Sequence, residues 1–262
     1  MMAGLAMVLA SVLVLAVSTG GSQCPSVCRC LWKSSKMTVE CTTGGLAAVP
    51  GPLDSGTQVL NMTANSLASL GPAMFAGAGL LNLQKICVAH NSLASVHSTA
   101  FSGLLNLVEV DLSHNLLSSV PSAAWAEVPS LMILSLSHNP ITSVGGEAFS
   151  SLRQLTKLDL SGCRIQQLAS SALQLLPGLE RLYLDHNLLR QVEAVPEALG
   201  QSLHGLSLHD NPWHCDCGLR PLRDWLVRTN VARLYEPVCI IIIKGVVESI
   251  SFIPNQYLHL IE

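Results

Sequence analysis

The chain has 262 residues, of which 49% are hydrophobic, 12% charged and only 4% aromatic. So few charges among so many apolar residues exclude an intrinsically disordered chain, and the length suffices for a sizeable core. The formal net charge of -3 argues against a dominant basic surface, so we expect no nucleic-acid partner.

The first 22 residues are predicted to be a secretory signal peptide. Residues 7–17 read MVLASVLVLAV, and small residues follow at 18–21, although no Lys or Arg precedes the run. An uncleaved anchor is the alternative, but the run is shorter than the roughly 20 residues that a membrane span needs. No later apolar stretch is longer. We therefore expect cleavage within residues 18–23, no direct membrane span and a secreted or extracellular chain.

Four cysteines follow in residues 24–52, which we interpret as an N-terminal cap: Cys24, Cys28, Cys30 and Cys41. Four cysteines this close in sequence could bind zinc. After a secretory signal, however, such a cluster favours disulfides. The cysteines alone permit three pairings.

Residues 53–210 are predicted to consist of about seven repeats of the pattern L-x-x-L-x-L-x-x-N-x-L. The Asn position recurs at an interval of 26 residues and then five times at 24, at Asn65, Asn91, Asn115, Asn139, Cys163, Asn187 and Asn211. Each L-x-L stretch predicts a short strand with inward leucines, and stacked units share one core. The sequence thus predicts an α/β solenoid, a leucine-rich-repeat horseshoe with a parallel sheet on its concave face and disulfide-bonded caps.

Two further columns support this register. We expect the Asn amides to bond backbone groups of the turns, and Cys163 to be a buried free thiol. Ten residues after the first five positions come large apolar residues, predicted to form a convex spine: Phe75, Phe101, Trp125, Phe149 and Leu173.

Four histidines directly precede an Asn of the repeat: His90, His114, His138 and His186. We interpret them as surface residues of the turns. A pH switch or a metal-binding strip is the alternative, because histidines in register can titrate together or share an ion.

Residues 211–239 are predicted to form a partial C-terminal cap. They begin NPWHCDC, continue with a helical pattern of Leu219, Leu222, Trp225 and Leu226, and end at Cys239. Residues 240–262 are a divergent tail without a structural assignment, which we expect to pack poorly.

From Cys24 to Cys239 the chain resembles insect Kekkon-type leucine-rich-repeat proteins. The resemblance rests on CPSVCRC (24–30), MFAGAGLLNLQK (74–85), LVEVDLSHNLLSSVPSA (107–123) and LHDNPWHCDC (208–217). It implies the disulfides Cys24–Cys30, Cys28–Cys41 and Cys215–Cys239, and leaves Cys217 without a partner. It also implies a cell-surface module that modulates growth-factor-receptor signalling or adhesion. The immunoglobulin and transmembrane segments of the complete family are expected to be missing, so this chain would be a truncated form.

Side chains between the inward leucines are predicted to face outward on the concave side. Eight of them are candidate partner-binding residues: Lys85, Glu109, Asp111, Lys157, Asp159, Arg181, Tyr183 and Asp185. Arg181 and Tyr183 are of types enriched at interface hot spots, and the expected partner is a cell-surface receptor ectodomain. An ordinary solvated sheet face is the alternative. Asn61 begins the only N-x-S/T sequon and is a predicted glycosylation site.

The sequence contains no G-x-S-x-G, Walker-type or H-E-x-x-H motif, so we predict neither an enzyme nor a cofactor. Two other binding functions stay open: a matrix-associated structural protein, and a pattern-recognition module for glycan or lipid.

Overall fold

The computed structural model describes residues 24–42, 44–191, 202–214, 222, 232–233, 238–243 and 246–251. The predicted signal peptide, Cys215, Cys217 and the chain after Ser251 lie outside these residues, and of Cys239 only the backbone is described. The predicted Cys215–Cys239 disulfide therefore lies outside the described part.

Within the described residues, short strands alternate with turns and short helices. The strands are β1 (Arg29–Lys33), β2 (Lys36–Glu40), β3 (Val59–Asn61), β4 (Ser69–Leu70), β5 (Lys85–Cys87), β6 (Ser95–Val96), β7 (Glu109–Asp111), β8 (Ile133–Ser135), β9 (Ser143–Val144), β10 (Lys157–Asp159), β11 (Gln167–Leu168), β12 (Arg181–Tyr183), β13 (Gly205–Ser207), β14 (Trp213–His214), β15 (Ala232–Arg233), β16 (Val238–Ile243) and β17 (Val246–Ser251). The helices are α1 (Met74–Gly77), a 3-10 helix at Ser122–Glu127 and α2 (Ser170–Gln174).

One ten-stranded sheet lines the concave side, in the order β1-β2-β3-β5-β7-β8-β10-β12-β13-β15. From β2 onwards every pair is parallel, and from β3 to β13 each residue faces its equivalent in the next repeat. The middle residues Val110, Leu134 and Leu158 are adjacent in this register and fully buried. The predicted solenoid of about seven stacked repeats, with a parallel concave sheet, is therefore confirmed.

The asparagine column closes the turns by hydrogen bonding. The Nδ2 atom of Asn139 donates to the carbonyls of Leu112, Leu136 and Ser137 at 3.0, 2.9 and 3.2 Å. Its Oδ1 atom accepts the backbone N–H of Leu117 at 3.0 Å. Each amide thus bonds its own turn and the preceding one, which satisfies backbone groups that would otherwise be buried without partners.

Cys163 replaces asparagine once in this column. Its thiol is buried and unpaired, as predicted, and contacts the Leu136 carbonyl at 3.4 Å. Burial raises the pKa of Cys163 to about 11, so the group is a protonated, unreactive thiol near neutral pH.

The convex spine is also confirmed, since Phe75, Phe101, Trp125, Phe149 and Leu173 are all buried. The rings of Phe75 and Phe101 stack with centroids 5.9 Å apart, and Phe101 and Trp125 repeat that spacing. The aromatic rings thereby continue the stacking of the repeats on the side opposite the sheet.

The N-terminal cap covers the first repeat with an antiparallel hairpin of β1 and β2. Its disulfides are Cys24–Cys30 and Cys28–Cys41, the pairs that the resemblance implies. Val39 of β2 pairs with Leu60 of β3, and both are buried, so the cap closes the apolar end of the solenoid.

At the other end, Trp213 is buried and its indole N–H donates to the Leu208 carbonyl at 2.9 Å. Strand β14 pairs with β16, which forms a hairpin with β17. Part of the tail is thus β-structure, an element that sequence reasoning did not assign. Its runs of isoleucine and valine favour strands. Among the described residues, no helix is long and apolar enough to cross a membrane.

Candidate binding face

Three columns of outward side chains cross the concave sheet. They are formed by the first residue of each strand, the third residue, and the residue two positions after the strand, because every second side chain points the same way. Lys85, Glu109, Lys157 and Arg181 lie in the first column, and Asp111, Asp159 and Tyr183 lie in the second. Asp185 lies in the third. All eight predicted partner-binding residues are half-buried or exposed on this face.

The predicted residues form two groups. In the first group, the Lys85 Nζ atom lies 2.7 Å from Glu109 Oε1, across neighbouring strands β5 and β7. Asp111 follows Glu109, and its Oδ2 atom accepts a hydrogen bond from the thiol of Cys87 at 3.4 Å. Burial raises the pKa of Cys87, so this thiol is a neutral donor rather than an anion.

The second group joins β10 and β12. The Lys157 Nζ atom lies over the ring of Tyr183, 5.3 Å from its centroid, which is a cation–π contact. The aliphatic part of exposed Arg181 covers Gly205, where an added Cβ would lie 3.5 Å from Arg181 Cγ. Asp159 accepts hydrogen bonds from the backbone and hydroxyl of Ser161 at 3.0 and 2.7 Å. Cation, aromatic ring and carboxylate are therefore held in place by their neighbours.

Strand β8 separates the two groups. Its outward residues are Ile133 and Ser135, so an uncharged strip lies between Glu109 and Lys157. Seven of the eight predicted residues, all except Asp185, hence form two separate patches rather than one continuous surface.

Four small residues predicted to face outward are instead buried: Ala89, Ser113, Ser137 and Ser207. The Ser207 hydroxyl contacts Nδ1 of His209 at 2.9 Å. Alternation along a strand predicts the direction in which a side chain points, but it does not predict how far the surrounding residues bury that side chain.

The sequon residue Asn61 lies on the first repeat strand and is half-buried. Its Oδ1 atom accepts hydrogen bonds from the backbone N–H and the hydroxyl of Thr63, at 3.0 and 2.6 Å. Glycosylation of Asn61 stays a prediction.

The residue before each Asn of the repeat has a left-handed backbone, with φ of 53° at His90 and 54° at His138. Gly162 takes this position in the fifth repeat with φ of 63°. The left-handed region is uncommon outside glycine, but His, Asn and Asp are enriched among the exceptions. The left-handed backbone thus helps to explain why histidine recurs at this position, a reason that the sequence pattern did not reveal.

The histidine rings stack on one another. The ring centroid of His114 is 4.0 Å from that of His90 and 4.1 Å from that of His138. The His138 ring occupies the space where a Cβ on Gly162 would lie, which ends the stack. Burial, followed by repulsion from His138 and His90, lowers the pKa of His114.

Sequence reasoning did not identify a four-residue cluster at the end of the concave face. Asp185 and His186 precede Asn187, and His209 and Asp210 precede Asn211, one repeat later. Each pair therefore stacks directly on the other. Nδ1 of His186 lies 3.0 Å from Asp185 Oδ2, and its Nε2 lies 3.1 Å from Asp210 Oδ2. The signal was present in the sequence as an Asp-His and a His-Asp pair separated by one repeat length.

These acid–imidazole contacts affect Asp185. Burial acts to raise the pKa of this carboxyl, but hydrogen bonds with His186 and Ser207 outweigh burial and lower the pKa overall. Asp185 is therefore an anion near neutral pH and can attract a cation.

Comparison with known proteins agrees with this architecture. Residues 81–141 and 129–189 match the family model described as Leucine rich repeat. The chain is 36% identical over 85 residues to human leucine-rich repeats and immunoglobulin-like domains protein 1, covering 32% of this chain and 7% of that protein. It is 38% identical over 56 residues to human leucine-rich repeat-containing G-protein coupled receptor 6, covering 21% of this chain and 6% of that protein.

A third relative is human leucine-rich repeat-containing protein 3, which is 31% identical over 82 residues, or 31% of each chain. This chain thus spans less than a third of each of these three relatives.

The parallel sheet and the asparagine column define a leucine-rich-repeat fold, and the match to the family model lies within the same repeats. Solenoids of this class are generally protein-interaction modules, because the sheet offers an extended concave surface.

Proposed function

We propose that this chain is an extracellular recognition module that binds a cell-surface receptor ectodomain through its concave face. The observation that carries the proposal is the second group, in which Lys157 lies over the ring of Tyr183 beside exposed Arg181. Arginine and tyrosine contribute strongly at protein interfaces, since each presents a large, partly rigid surface with polar atoms at its end.

Fixed geometry supports this assignment. A side chain that its neighbours already hold in place loses less conformational entropy when a partner binds. Asp159 is held by Ser161, and the stem of Arg181 packs on Gly205. We expect the partner to bring acidic groups towards Arg181 and Lys157, and a basic group towards Asp159.

The cap and the relatives support this cellular setting. Two disulfides are typical of proteins that mature in an oxidising compartment. One relative is a protein with immunoglobulin-like domains, and another is a G-protein coupled receptor. Together with the Kekkon-like sequence runs, this favours a module that modulates growth-factor-receptor signalling or adhesion.

The test is a cell-surface binding screen of the purified chain against receptor ectodomains. For any partner found, we expect the double variant Arg181→Ala and Tyr183→Ala to weaken binding by more than 30-fold, on the order of 2 kcal/mol. The matched control is Arg153→Ala with Leu105→Ala, which alters exposed residues outside the concave columns.

Undiminished binding by the double variant would contradict the assigned site. Equal loss in the control would show that the concave face is not the determinant. Affinity for collagen or proteoglycan alone, in a matrix pull-down, would favour the structural alternative instead.

A further inference from the structure

The cluster at the last two repeats has the composition of a metal site. Three ligand atoms, one each from Asp185, His186 and His209, all lie within 4.8 Å of one another. Asp185 Oδ2 is 3.0 Å from His186 Nδ1 and 3.9 Å from His209 Nε2. We propose that Asp185, His186 and His209 bind one zinc ion.

The distances suit a tetrahedral ion. Zinc binds nitrogen and oxygen at about 2.0–2.2 Å, so two atoms on the same tetrahedral ion lie roughly 3.3–3.5 Å apart. The separations of 3.0 and 3.9 Å bracket that value. All three ligand atoms lie within 4.8 Å of one another, so binding requires rotations of these exposed or half-buried side chains that bring the widest pair closer together.

Hydrogen bonds to the second ring nitrogen of each histidine support the proposal. A histidine that binds a metal usually donates its other ring N–H to an oxygen, which fixes the ring and its tautomer. Nε2 of His186 lies 3.1 Å from Asp210 Oδ2, and Nδ1 of His209 lies 2.9 Å from Ser207 Oγ. Zinc binding selects the tautomers with protons on those two atoms, because Nδ1 of His186 and Nε2 of His209 then carry the lone pairs that a metal needs. In this tautomer the bonds from His186 and Asp185 to the ion replace the hydrogen bond between His186 Nδ1 and Asp185.

Ligand chemistry selects the ion. Two imidazoles with one carboxylate suit zinc, whereas calcium and magnesium prefer sites made of oxygen alone. The carboxylates of Asp185 and Asp210 together balance the charge of a divalent ion. Because His186 is exposed, the fourth position is open to water or to a carboxylate of a bound protein.

The experiment is a zinc titration of the full chain, purified without a histidine tag and competed against a chromogenic chelator at neutral pH. We expect one saturable site and an increase of Tm with zinc. His209→Gln removes a ligand and should weaken binding by at least about 100-fold, and Asp210→Asn by roughly 10-fold through His186.

His90→Gln is the matched control, because His90 lies in the same column as His186 with nearly the same backbone angle but outside the cluster. It should bind zinc as the wild type does. Absence of a saturable site in the wild type would overturn the proposal, as would unchanged affinity in His209→Gln. Equal weakening by His90→Gln would also overturn it, because the histidine column would then be the site.

Discussion

The side-chain oxygen of Asn139 accepts the backbone N–H of Leu117, which lies 3.0 Å away in the preceding repeat. The same amide also donates to three carbonyls. We expect Asn139→Ala to lower the free energy of unfolding by about 3 kcal/mol or more, because several buried backbone groups lose their partner. Urea unfolding followed by circular dichroism measures the loss.

Asn82→Ala is the control for that variant, since exposed Asn82 makes one hydrogen bond, to the Ser55 carbonyl at 2.9 Å. Its cost should be about 1 kcal/mol or less. If both variants lost equal stability, the asparagine column would not hold the turns together.

Cys163→Asn should stabilise the protein. The thiol makes a single long contact with the Leu136 carbonyl, whereas asparagine at this position in other repeats bonds several backbone groups. We expect a gain of about 1 kcal/mol in the free energy of unfolding, and a loss of about 1 kcal/mol for Cys163→Ala. Lower stability for Cys163→Asn would mean that the fifth turn cannot accept the amide.

Trp125 places its indole N–H in the convex spine without a hydrogen-bond partner among the described residues. Phe101 and Phe149 occupy the same column and are buried. Trp125→Phe removes the unsatisfied donor, so we expect stability within about 1 kcal/mol of the wild type despite the lost volume. Trp125→Ala should lower the free energy of unfolding by about 3–5 kcal/mol, which thermal unfolding measures. Equal losses in the two variants would contradict the expectation that a phenyl ring can replace the indole here.

The stacked histidines should make stability depend on pH. The folded-state pKa of His114 is lowered by burial and by its two neighbouring rings, although Asp111 acts in the opposite direction. The unfolded chain therefore takes up this proton first, and stability falls as the pH drops from about 6.5 through the lowered folded value. Above about 6.5 the contribution is constant.

His114→Gln should remove part of that dependence while leaving the fold intact. Urea unfolding of both proteins, at a pH above 6.5 and at one well below it, compares the two slopes. An equal loss of stability in both proteins as the pH falls would contradict the expected role of the stack.

The repeat period was sufficient to predict most of the fold. The pattern occurs seven times, and each occurrence fixes the position of a central strand residue. Leu134 pairs with Leu158, the equivalent residue one repeat later, as expected. The burial of Phe75 and Phe101 follows from the same period, because equivalent residues of stacked units must lie side by side.

The site was less accessible to sequence reasoning. The pattern indicates that Arg181 and Tyr183 face outward, but the contact of Lys157 with the Tyr183 ring depends on rotamers. The Asp185–His186 and His209–Asp210 cluster requires neighbouring columns to be read together, not one column at a time. The tail strands arise in a segment without the repeat period, so the period could not predict them.

The uncharged strand β8 has a consequence for how this surface can change. Strands β7, β8 and β10 face their equivalents 24 residues away, so excising residues 116–139 would join Asn115 to Pro140 and leave an intact, shorter solenoid. Glu109 would then adjoin Lys157, and the two patches would fuse into a single charged field. Loss or duplication of one whole unit thereby changes the recognition surface in one step, without a substitution in any surviving residue.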